Sequence, residues 1–312
     1  MQYRILGRTG LRVSVIAFGT GPVSGLMTGS DEQAHAAVLR RAIEKGINWI
    51  DTAPGYGQGQ SEANLGRALR EIGTSSIHVA TKVRLAPEHL ANIRDAVRHS
   101  VDESLQRLGI ASIALLQLHN GLTAHRDVEP FSITPSDVFG AGGVLESFRE
   151  LQREGLIRFL GLTGTGQPAA MREVVRSGDF DAIQVPYHLL NPSAGEVVPD
   201  SFPETNYGNI IADCAEMQMG ILAIRVFAGG ALLGNPPSAH TLKTPFFPLS
   251  LYERDRERAE MLRERTDSRT SLKETALRFV LSHPHIHSAI VGFGVPDHVD
   301  EAVENAANGI TK

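Results

Sequence analysis

The sequence predicts a closed (β/α)8 TIM barrel, because the hydrophobic spacing along its 312 residues switches repeatedly between a strand-like and a helix-like period. Short apolar segments have the length and composition of strands, and segments with helical spacing separate them. A chain of this length fits one large barrel, so we expect residues 1–312 to form a single domain. An N-terminal β-hairpin and long loops after two of the strands complete the predicted architecture.

The individual elements follow from local signals. Turn residues at Gly7 and Gly10 predict that the chain begins with the hairpin. A helix is expected near residues 31–45, because Gly46 follows it in the position that helix C-termini favour. Helical spacing predicts further helices near residues 61–70, 87–108 and 144–154. The barrel strands are predicted at residues 15–19, 47–51, 77–82, 114–119, 157–163, 181–186, 220–225 and 288–292.

Two connections are longer than is usual in a barrel, at residues 120–143 and 227–251. Each follows a strand, so each is expected to lie over the face where the carboxyl ends of the strands meet. Long loops in this position are typically lids or specificity loops. The alternative is that they are partly disordered surface insertions.

Composition narrows the functional class. The net charge is −5, from 30 basic and 35 acidic residues, and no long basic tract favours nucleic acid or an anionic membrane. No uncharged apolar run approaches the roughly 20 residues of a membrane span. Cys214 is the only cysteine, which excludes an internal disulfide and suits a reducing compartment. We therefore expect a cytoplasmic protein; the sequence does not indicate its oligomeric state.

Four chemically reactive side chains fall at or just beyond predicted strand ends: Asp51, Tyr56, Lys82 and His119. In a closed barrel such positions converge on the face where active sites are built. A tyrosine hydroxyl, with an ordinary pKa of about 10, is a weak acid, but a neighbouring ammonium stabilises its phenolate. Lys82 can activate Tyr56 in this way, Asp51 can keep Lys82 charged, and His119 can orient a carbonyl oxygen. Each residue alone has a structural explanation, but their joint occurrence predicts acid catalysis on a carbonyl.

Two other motifs are weaker. Gly55, Gly57 and Gly59 follow a strand, but their G-x-G-x-G spacing differs from the dinucleotide fingerprint, and no acid ends the next strand. The histidine-rich segment 283–287 lies between a helix and a strand and lacks cysteine or carboxylate, which favours a solvated turn over a metal site.

The sequence resembles the aldo-keto reductase family from Leu6 almost to the C-terminus. The strongest segments are Gly46-Ile-Asn-Trp-Ile-Asp-Thr-Ala-Pro-Gly-Tyr-Gly57, Ser61-Glu-Ala-Asn-Leu-Gly66 and Leu116-Gln-Leu-His119. The resemblance implies a barrel that binds NADP or NAD without a Rossmann domain and acts on a small carbonyl or alcohol substrate. It implies Tyr56 as the general acid, assisted by Lys82 and Asp51, with His119 positioning the carbonyl.

The resemblance also implies a set of cofactor-binding residues. Gly19 and Thr20 would flank the nicotinamide, whereas Thr163 and Gln184 would bind its carboxamide. Ile224 would pack on the nicotinamide ring in place of the aromatic residue of many members. The remaining expected positions are Arg225, for a phosphate or an acidic substrate or else in a surface ion pair, and, toward the adenosine, Gly292, Phe293, Gly294, His298 and Glu301.

Two departures from the family pattern affect the cofactor. The usual Ser-Asn pair of the fifth strand is replaced by Thr163 and Gly164, so one amide contact is expected to be missing. Gly294 and His298 stand where NADP-preferring members carry Arg or Lys, which makes NAD a candidate cofactor. A helix beginning near Pro296 can still offer its N-terminus to a phosphate. Two alternatives remain: an NAD-linked sugar or lactol dehydrogenase, and a cofactor-binding regulatory subunit with little turnover.

Overall fold

The computed structural model of the protein describes residues 1–73, 76–265 and 271–309. Its strands are β1 (Tyr3–Ile5), β2 (Arg12–Ser14), β3 (Ile16–Gly19), β4 (Trp49–Asp51), β5 (His78–Val83), β6 (Ile113–Leu118), β7 (Ile157–Thr163), β8 (Ala182–Pro186), β9 (Gly220–Ile224) and β10 (Ser288–Gly292). Strands β3 to β10 form a closed parallel barrel in chain order, with β10 paired to β3. Strands β1 and β2 form the separate antiparallel hairpin. The predicted barrel and its N-terminal hairpin are both confirmed.

Helices cover the outside of the barrel and the rim at the carboxyl ends of its strands. They are α1 (Glu32–Glu44), α2 (Gln60–Ile72), α3 (Ile93–Leu108), α4 (Pro135–Phe139), α5 (Val144–Arg153), α6 (Pro168–Arg176), α7 (Ile210–Glu216), α8 (Leu249–Arg265), α9 (Leu272–Ser282) and α10 (Pro296–Gly309). Helix α1 begins as its sequence indicates, since the Asp31 side chain accepts a hydrogen bond from the Ala34 amide at 3.0 Å. In the part of the chain that the structure describes, no helix is both long and apolar enough to cross a membrane.

Several predicted boundaries shift by one or two residues, and two of the differences have a clear local cause. The single helix expected over residues 87–108 is interrupted: a 3-10 turn ends at Ala91, and α3 begins after Asn92, whose side chain accepts from the Asp95 amide. Strand β9 ends at Ile224 instead of Arg225, because Arg225 has a φ of 58° and leaves the extended conformation. Local capping and a left-handed residue therefore override the hydrophobic pattern at both positions.

The barrel interior is apolar at one end and polar at the other. At the hairpin end, Leu6, Leu11 and Val13 pack against Trp49 and Leu115 inside the barrel. A larger apolar layer lies between the strands and the surrounding helices. With the hairpin closing the amino-terminal end, the polar side chains collect at the carboxyl ends of the strands, as expected for a barrel with a functional site there.

Both long connections are folded segments that lie over this polar end. The connection after β6 contains α4 and is held by Asn120, whose amide donates to the carbonyls of Leu85 and Phe131, each at 2.7 Å. The connection after β9 contains a 3-10 turn at Ala228–Leu233 and packs against α8. Their positions agree with the prediction that these loops cover the carboxyl-terminal face.

Candidate active site

The four predicted reactive residues lie together at the carboxyl-terminal end of the barrel. Asp51 is the last residue of β4, Lys82 lies near the end of β5, and His119 directly follows β6. Tyr56 lies in the loop after β4, whose turn through Gly57 and Gly59 uses positive φ angles. Lys82 Nζ is 2.6 Å from Asp51 Oδ2 and 3.2 Å from the Tyr56 hydroxyl, so these three groups form a continuous chain of polar contacts.

Lys82 is held as a buried ammonium. Its side chain is 1% exposed, and Nζ also donates to the Thr52 carbonyl at 2.8 Å. Burial alone would lower the pKa of Lys82, but Asp51 and Tyr56 outweigh it, so that the pKa is raised above its ordinary value. The ammonium therefore stays charged beside the tyrosine oxygen across the physiological pH range.

The second oxygen of Asp51 accepts from two glutamine side chains. Gln117 Nε2 lies 3.1 Å from Oδ1, and Gln184 Nε2 donates to the same atom. Gln117 is aligned with Lys82 in the β5–β6 register. A Cβ at Gly161, its neighbour on β7, would lie 2.7 Å from Gln117 Cγ, so the glycine makes room for this side chain. Asp51 is thus saturated with donors.

Sequence reasoning missed the contribution of Gln117. A signal was present, because it is a polar residue inside the otherwise apolar strand β6. Gln184 lies at the carboxyl-terminal face, as predicted, but its amide nitrogen is engaged by Asp51. The carbonyl oxygen is therefore the part of Gln184 that is left for a ligand.

His119 faces the tyrosine. The two ring centroids are 6.1 Å apart and the ring planes are nearly perpendicular. Burial, together with the positive charges of Arg84 and Lys82, lowers the pKa of His119 well below its ordinary value. The imidazole is consequently neutral at physiological pH and has one nitrogen that donates and one that accepts.

A cavity of about 1260 Å³ opens above these four residues and is lined by both long connections. This volume exceeds that of a typical small-molecule site and is enough for a dinucleotide together with a small substrate. The expected cofactor residues that line it are Gly19, Thr163, Gln184, Ile224, Arg225, Gly292, Gly294 and His298.

Three expected cofactor residues do not line this cavity. The Thr20 hydroxyl donates to the Asp51 carbonyl at 3.0 Å, and Phe293 is buried against Phe18 with ring centroids 5.3 Å apart. Glu301 of α10 forms an ion pair with Lys273 of α9. The contacts of Thr20 and Phe293 stabilise the strand ends, and any part that the three side chains play in cofactor binding stays a prediction.

Arg225 occupies a buried environment instead of the surface. Its side chain is 14% exposed, so the interpretation as a surface ion pair is wrong. The guanidinium lies 3.9 Å from the centre of the Phe247 ring and 3.8 Å from an oxygen of Asp255. Because the side chain also lines the cavity, Arg225 can still approach an anionic group of a ligand.

Two features of the cavity wall match what a nicotinamide dinucleotide requires. The Thr163 hydroxyl is buried and has no hydrogen-bond partner among the described residues, which leaves it available to a carboxamide. Helix α10 begins at Pro296, directly after Gly292 and Gly294 in the wall, so its N-terminal amides can receive a phosphate. The residues present therefore fit the cofactor that the sequence implies.

The two weaker motifs are not supported as sites. The glycines after β4 belong to a closed barrel, whereas the dinucleotide fingerprint requires an open, doubly wound sheet. Over residues 1–73, 76–265 and 271–309, no group of three or more His, Cys, Asp or Glu side chains could hold a metal ion. His287 of the histidine segment instead accepts a hydrogen bond from the Ile221 amide at 3.0 Å.

Comparison with known proteins identifies the family. The aldo/keto reductase family pattern matches residues 15–312, and the chain belongs to that family. It is 27% identical over 309 residues to L-galactose dehydrogenase of Arabidopsis thaliana, an alignment that covers 97% of this chain and 87% of that protein. It is 28% identical to D-threo-aldose 1-dehydrogenase of a Pseudomonas species, with 96% and 91% covered.

The solved structures agree. The holo form of an aldo-keto reductase from Bacillus halodurans matches with a TM-score of 0.70 and 25% identity, covering 98% of this chain and 90% of that one. The barrel, the site and the family together establish an NAD(P)-dependent oxidoreductase that acts on small carbonyl compounds.

Proposed function

We propose that Tyr56 is the general acid of a carbonyl reduction and that Asp51, Lys82 and His119 support it. The observation that carries this assignment is the 3.2 Å contact between Lys82 Nζ and the Tyr56 hydroxyl, in a group whose ammonium is fixed by Asp51. Bound NAD(P)H supplies the hydride that converts the carbonyl carbon to an alcohol carbon. Tyr56 gives its proton to the carbonyl oxygen, and Lys82 stabilises the phenolate that results.

His119 positions the substrate in this proposal. The neutral imidazole can donate a hydrogen bond to the same carbonyl oxygen that receives the tyrosine proton, which fixes the oxygen between the two rings. Because Asp51 accepts from Lys82, Gln117 and Gln184, the ammonium has little freedom to move during the reaction. Such a preorganised arrangement is what stabilisation of a developing charge requires.

Replacing Tyr56 tests the assignment directly. Tyr56→Phe removes the proposed proton donor and retains the ring, so the affinity for the cofactor should change little. Loss of a general acid typically lowers the rate by about 10² to 10⁴. The measurement is kcat for a small aldehyde together with the Kd of the reduced cofactor. Near-normal turnover in the variant would show that another group delivers the proton.

We also propose that the enzyme uses NADH at least as well as NADPH. Gly294 and His298 occupy the expected 2′-phosphate positions, and the Gly294 amide donates to His298 Nδ1 at 3.3 Å. Neither residue supplies a permanent cation, and a hydrogen bond to an ionic group contributes about 1.5–3 kcal/mol. Its absence is enough to remove a tenfold preference for NADPH.

The cofactor proposal is tested by the ratio of kcat/KM for NADH and NADPH in the wild type and in Gly294→Arg. A Cβ at Gly294 would lie 3.6 Å from its nearest neighbour, His298 Nδ1, so the wall can accommodate the new side chain. The variant should shift the preference toward NADPH. A wild-type preference for NADPH of about a hundredfold or more would refute the proposal and show that another cation reaches the phosphate.

A second candidate function is the NAD-linked oxidation of a sugar or lactol. Two relatives are named as dehydrogenases of sugars, which favours this direction for a site without a cation at the 2′-phosphate. A panel of aldoses with NAD and of aldehydes with NADH separates the two functions. Absence of turnover throughout the panel, with the cofactor bound, would support the regulatory-subunit alternative instead.

We also propose that the chain acts as one domain in the cytoplasm. Its buried, unpaired Cys214 suits that reducing compartment.

A further inference from the structure

One arginine that lines the cavity, Arg84, has no acidic partner among the described residues. Arg84 lies just beyond β5, two residues after Lys82, and lines the cavity. Residues two apart in an extended strand point to the same face and are separated by roughly 7 Å. In the barrel order β5 stands opposite β9, so Arg84 faces the reacting groups from the side opposite Ile224 and Arg225.

The surroundings of Arg84 leave its charge uncompensated. Within the described part of the chain Arg84 forms no hydrogen bond or ion pair, and its Nε is buried without a partner. The central carbon of its guanidinium lies 4.4 Å from the centre of the Phe246 ring. Burial lowers the pKa of this guanidinium, and its charge in turn contributes to the lowered pKa of His119 and of His240. A desolvated cation therefore stands close to the carbonyl-binding groups.

The other cationic side chains of the cavity differ from Arg84. Arg225 approaches Asp255, and Arg254 is paired with Glu204. Glu129 lines the same cavity, but burial raises its pKa without an opposing contribution from an arginine, so it does not neutralise Arg84. Lys243 is solvent-exposed and can be hydrated. Among these arginines, Arg84 is thus the one without an acidic partner in the described part of the chain, and an incoming oxyanion would offset its desolvation.

We propose that Arg84 is a specificity residue that binds an oxyanion carried by the substrate, so that the preferred substrates are small carbonyl compounds with an acidic group. This inference rests on the proposed carbonyl reduction at Tyr56. A planar guanidinium matches a carboxylate or a phosphate with two parallel hydrogen bonds. The guanidinium packs over the Phe246 ring, which restricts its movement, and the side chain still lines the cavity.

The first test needs only the wild-type holoenzyme and a pair of substrates that differ in charge. We expect kcat/KM for 4-oxobutanoate to exceed that for its methyl ester by about tenfold or more, the size of a single charge-assisted contact. Glyceraldehyde 3-phosphate and glyceraldehyde form the second pair and distinguish a phosphate site from a carboxylate site. If the charged and neutral members of both pairs are reduced equally well, the proposal is overturned, while the reductase function stands.

The second test uses variants. Arg84→Met should reduce the charged-to-neutral ratio of kcat/KM about tenfold, mainly through KM, and Arg84→Lys should restore part of it. Lys243→Met removes a charge from the same cavity and is the matched control. Equal changes in Arg84→Met and Lys243→Met would mean that only the general field of the cavity matters, which also overturns the proposal.

A binding measurement separates this inference from the proposed function. Succinate cannot be reduced at this site, but it carries the same carboxylate, and its binding to the complex with reduced cofactor can be followed by calorimetry. We expect succinate to bind at least about tenfold more tightly than its dimethyl ester, and Arg84→Met to abolish the difference. This result does not depend on turnover. Failure of all reduction would contradict the proposed function, whereas failure of succinate to bind would contradict only the role of Arg84.

Discussion

Asp51 is the residue on which the geometry of the candidate site depends. It accepts from an ammonium on one oxygen and from two carboxamides on the other, and all of these groups are buried. A carboxylate in this environment is stable only while its donors remain in place. The same contacts hold Lys82 against Tyr56, so stability and proposed catalysis are coupled at this one residue.

Replacing Lys82 should therefore affect both properties. In Lys82→Met the buried carboxylate of Asp51 loses its counter-ion, and breaking a buried pair in this way typically costs about 3–5 kcal/mol. Tyr56 also loses the cation that stabilises its phenolate, so kcat at neutral pH should fall. The measurements are urea unfolding and the pH profile of kcat. A double variant, Lys82→Met with Asp51→Asn, should recover much of the stability but little of the activity.

How far the sequence predicts the site depends on which contacts are local. Asp51, Lys82 and His119 could be located because strand ends are visible in the hydrophobic pattern and converge in any barrel. The role of Gln117 depends on the register between β5 and β6 and on the missing side chain at Gly161, neither of which the pattern contains. The isolation of Arg84 likewise becomes visible only when the loop that carries Phe246 is in place.

At the scale of elements, α8 holds the loop after β9 over the cavity. Tyr252 of this helix is buried and donates to the Asn235 carbonyl at 2.6 Å. Asp255, one turn further on, is also buried, and neither of its carboxylate oxygens has a hydrogen-bond partner among the described residues. Burial raises the pKa of Asp255 to about 6, with Arg225 3.8 Å away as a partial compensation.

The raised pKa predicts how stability depends on pH in this part of the molecule. Because the folded pKa lies above the unfolded value of 3.8, the contribution of Asp255 is present below pH 3.8 and is lost as the pH rises through 6. Between about pH 4.5 and 7 the loss should be about 2 kcal/mol. Asp255→Asn should remove this part of the pH dependence, as measured by urea unfolding at both values. Glu260→Gln, on the exposed face of α8, is the control.

An unchanged pH dependence in Asp255→Asn would mean that the carboxylate is hydrated or paired in solution.

The secondary-structure elements could be predicted from the sequence only where local signals determine them. The barrel strands and helices α1, α2, α3 and α5 follow from local signals in the sequence, whereas the break at Asn92 depends on a side-chain cap. The end of β9 depends on the left-handed conformation of Arg225, which lies beside Asp255 and Phe247. Tertiary contacts of this kind are not encoded in a local pattern.

At the scale of the whole molecule, the barrel separates two kinds of interior. One end is filled with apolar side chains under the hairpin, and the other collects polar groups that are shielded from water. Three histidines in different parts of the fold, His119, His188 and His287, are also buried or half-buried. Burial is the main cause that lowers the pKa of His188 to about 3, of His287 to about 4, and of His119 well below its ordinary value.

These three histidines predict acid sensitivity of the protein as a whole. Each is neutral in the folded state but takes up a proton in the unfolded chain below about pH 6.5, so the stability they contribute is present above that pH and is lost as the pH falls. Near pH 5, the uptake of about two protons by His188 and His287 alone corresponds to a loss of roughly 3 kcal/mol per pH unit. Proton uptake on unfolding is measured by calorimetry in buffers of different ionisation enthalpy. His188→Gln and His287→Gln should each remove about one proton, whereas His99→Gln, at a side chain that is 77% exposed, is the control. If His188→Gln, His287→Gln and His99→Gln all reduce the proton uptake on unfolding by the same amount, burial of the neutral imidazoles is not what makes the fold sensitive to acid.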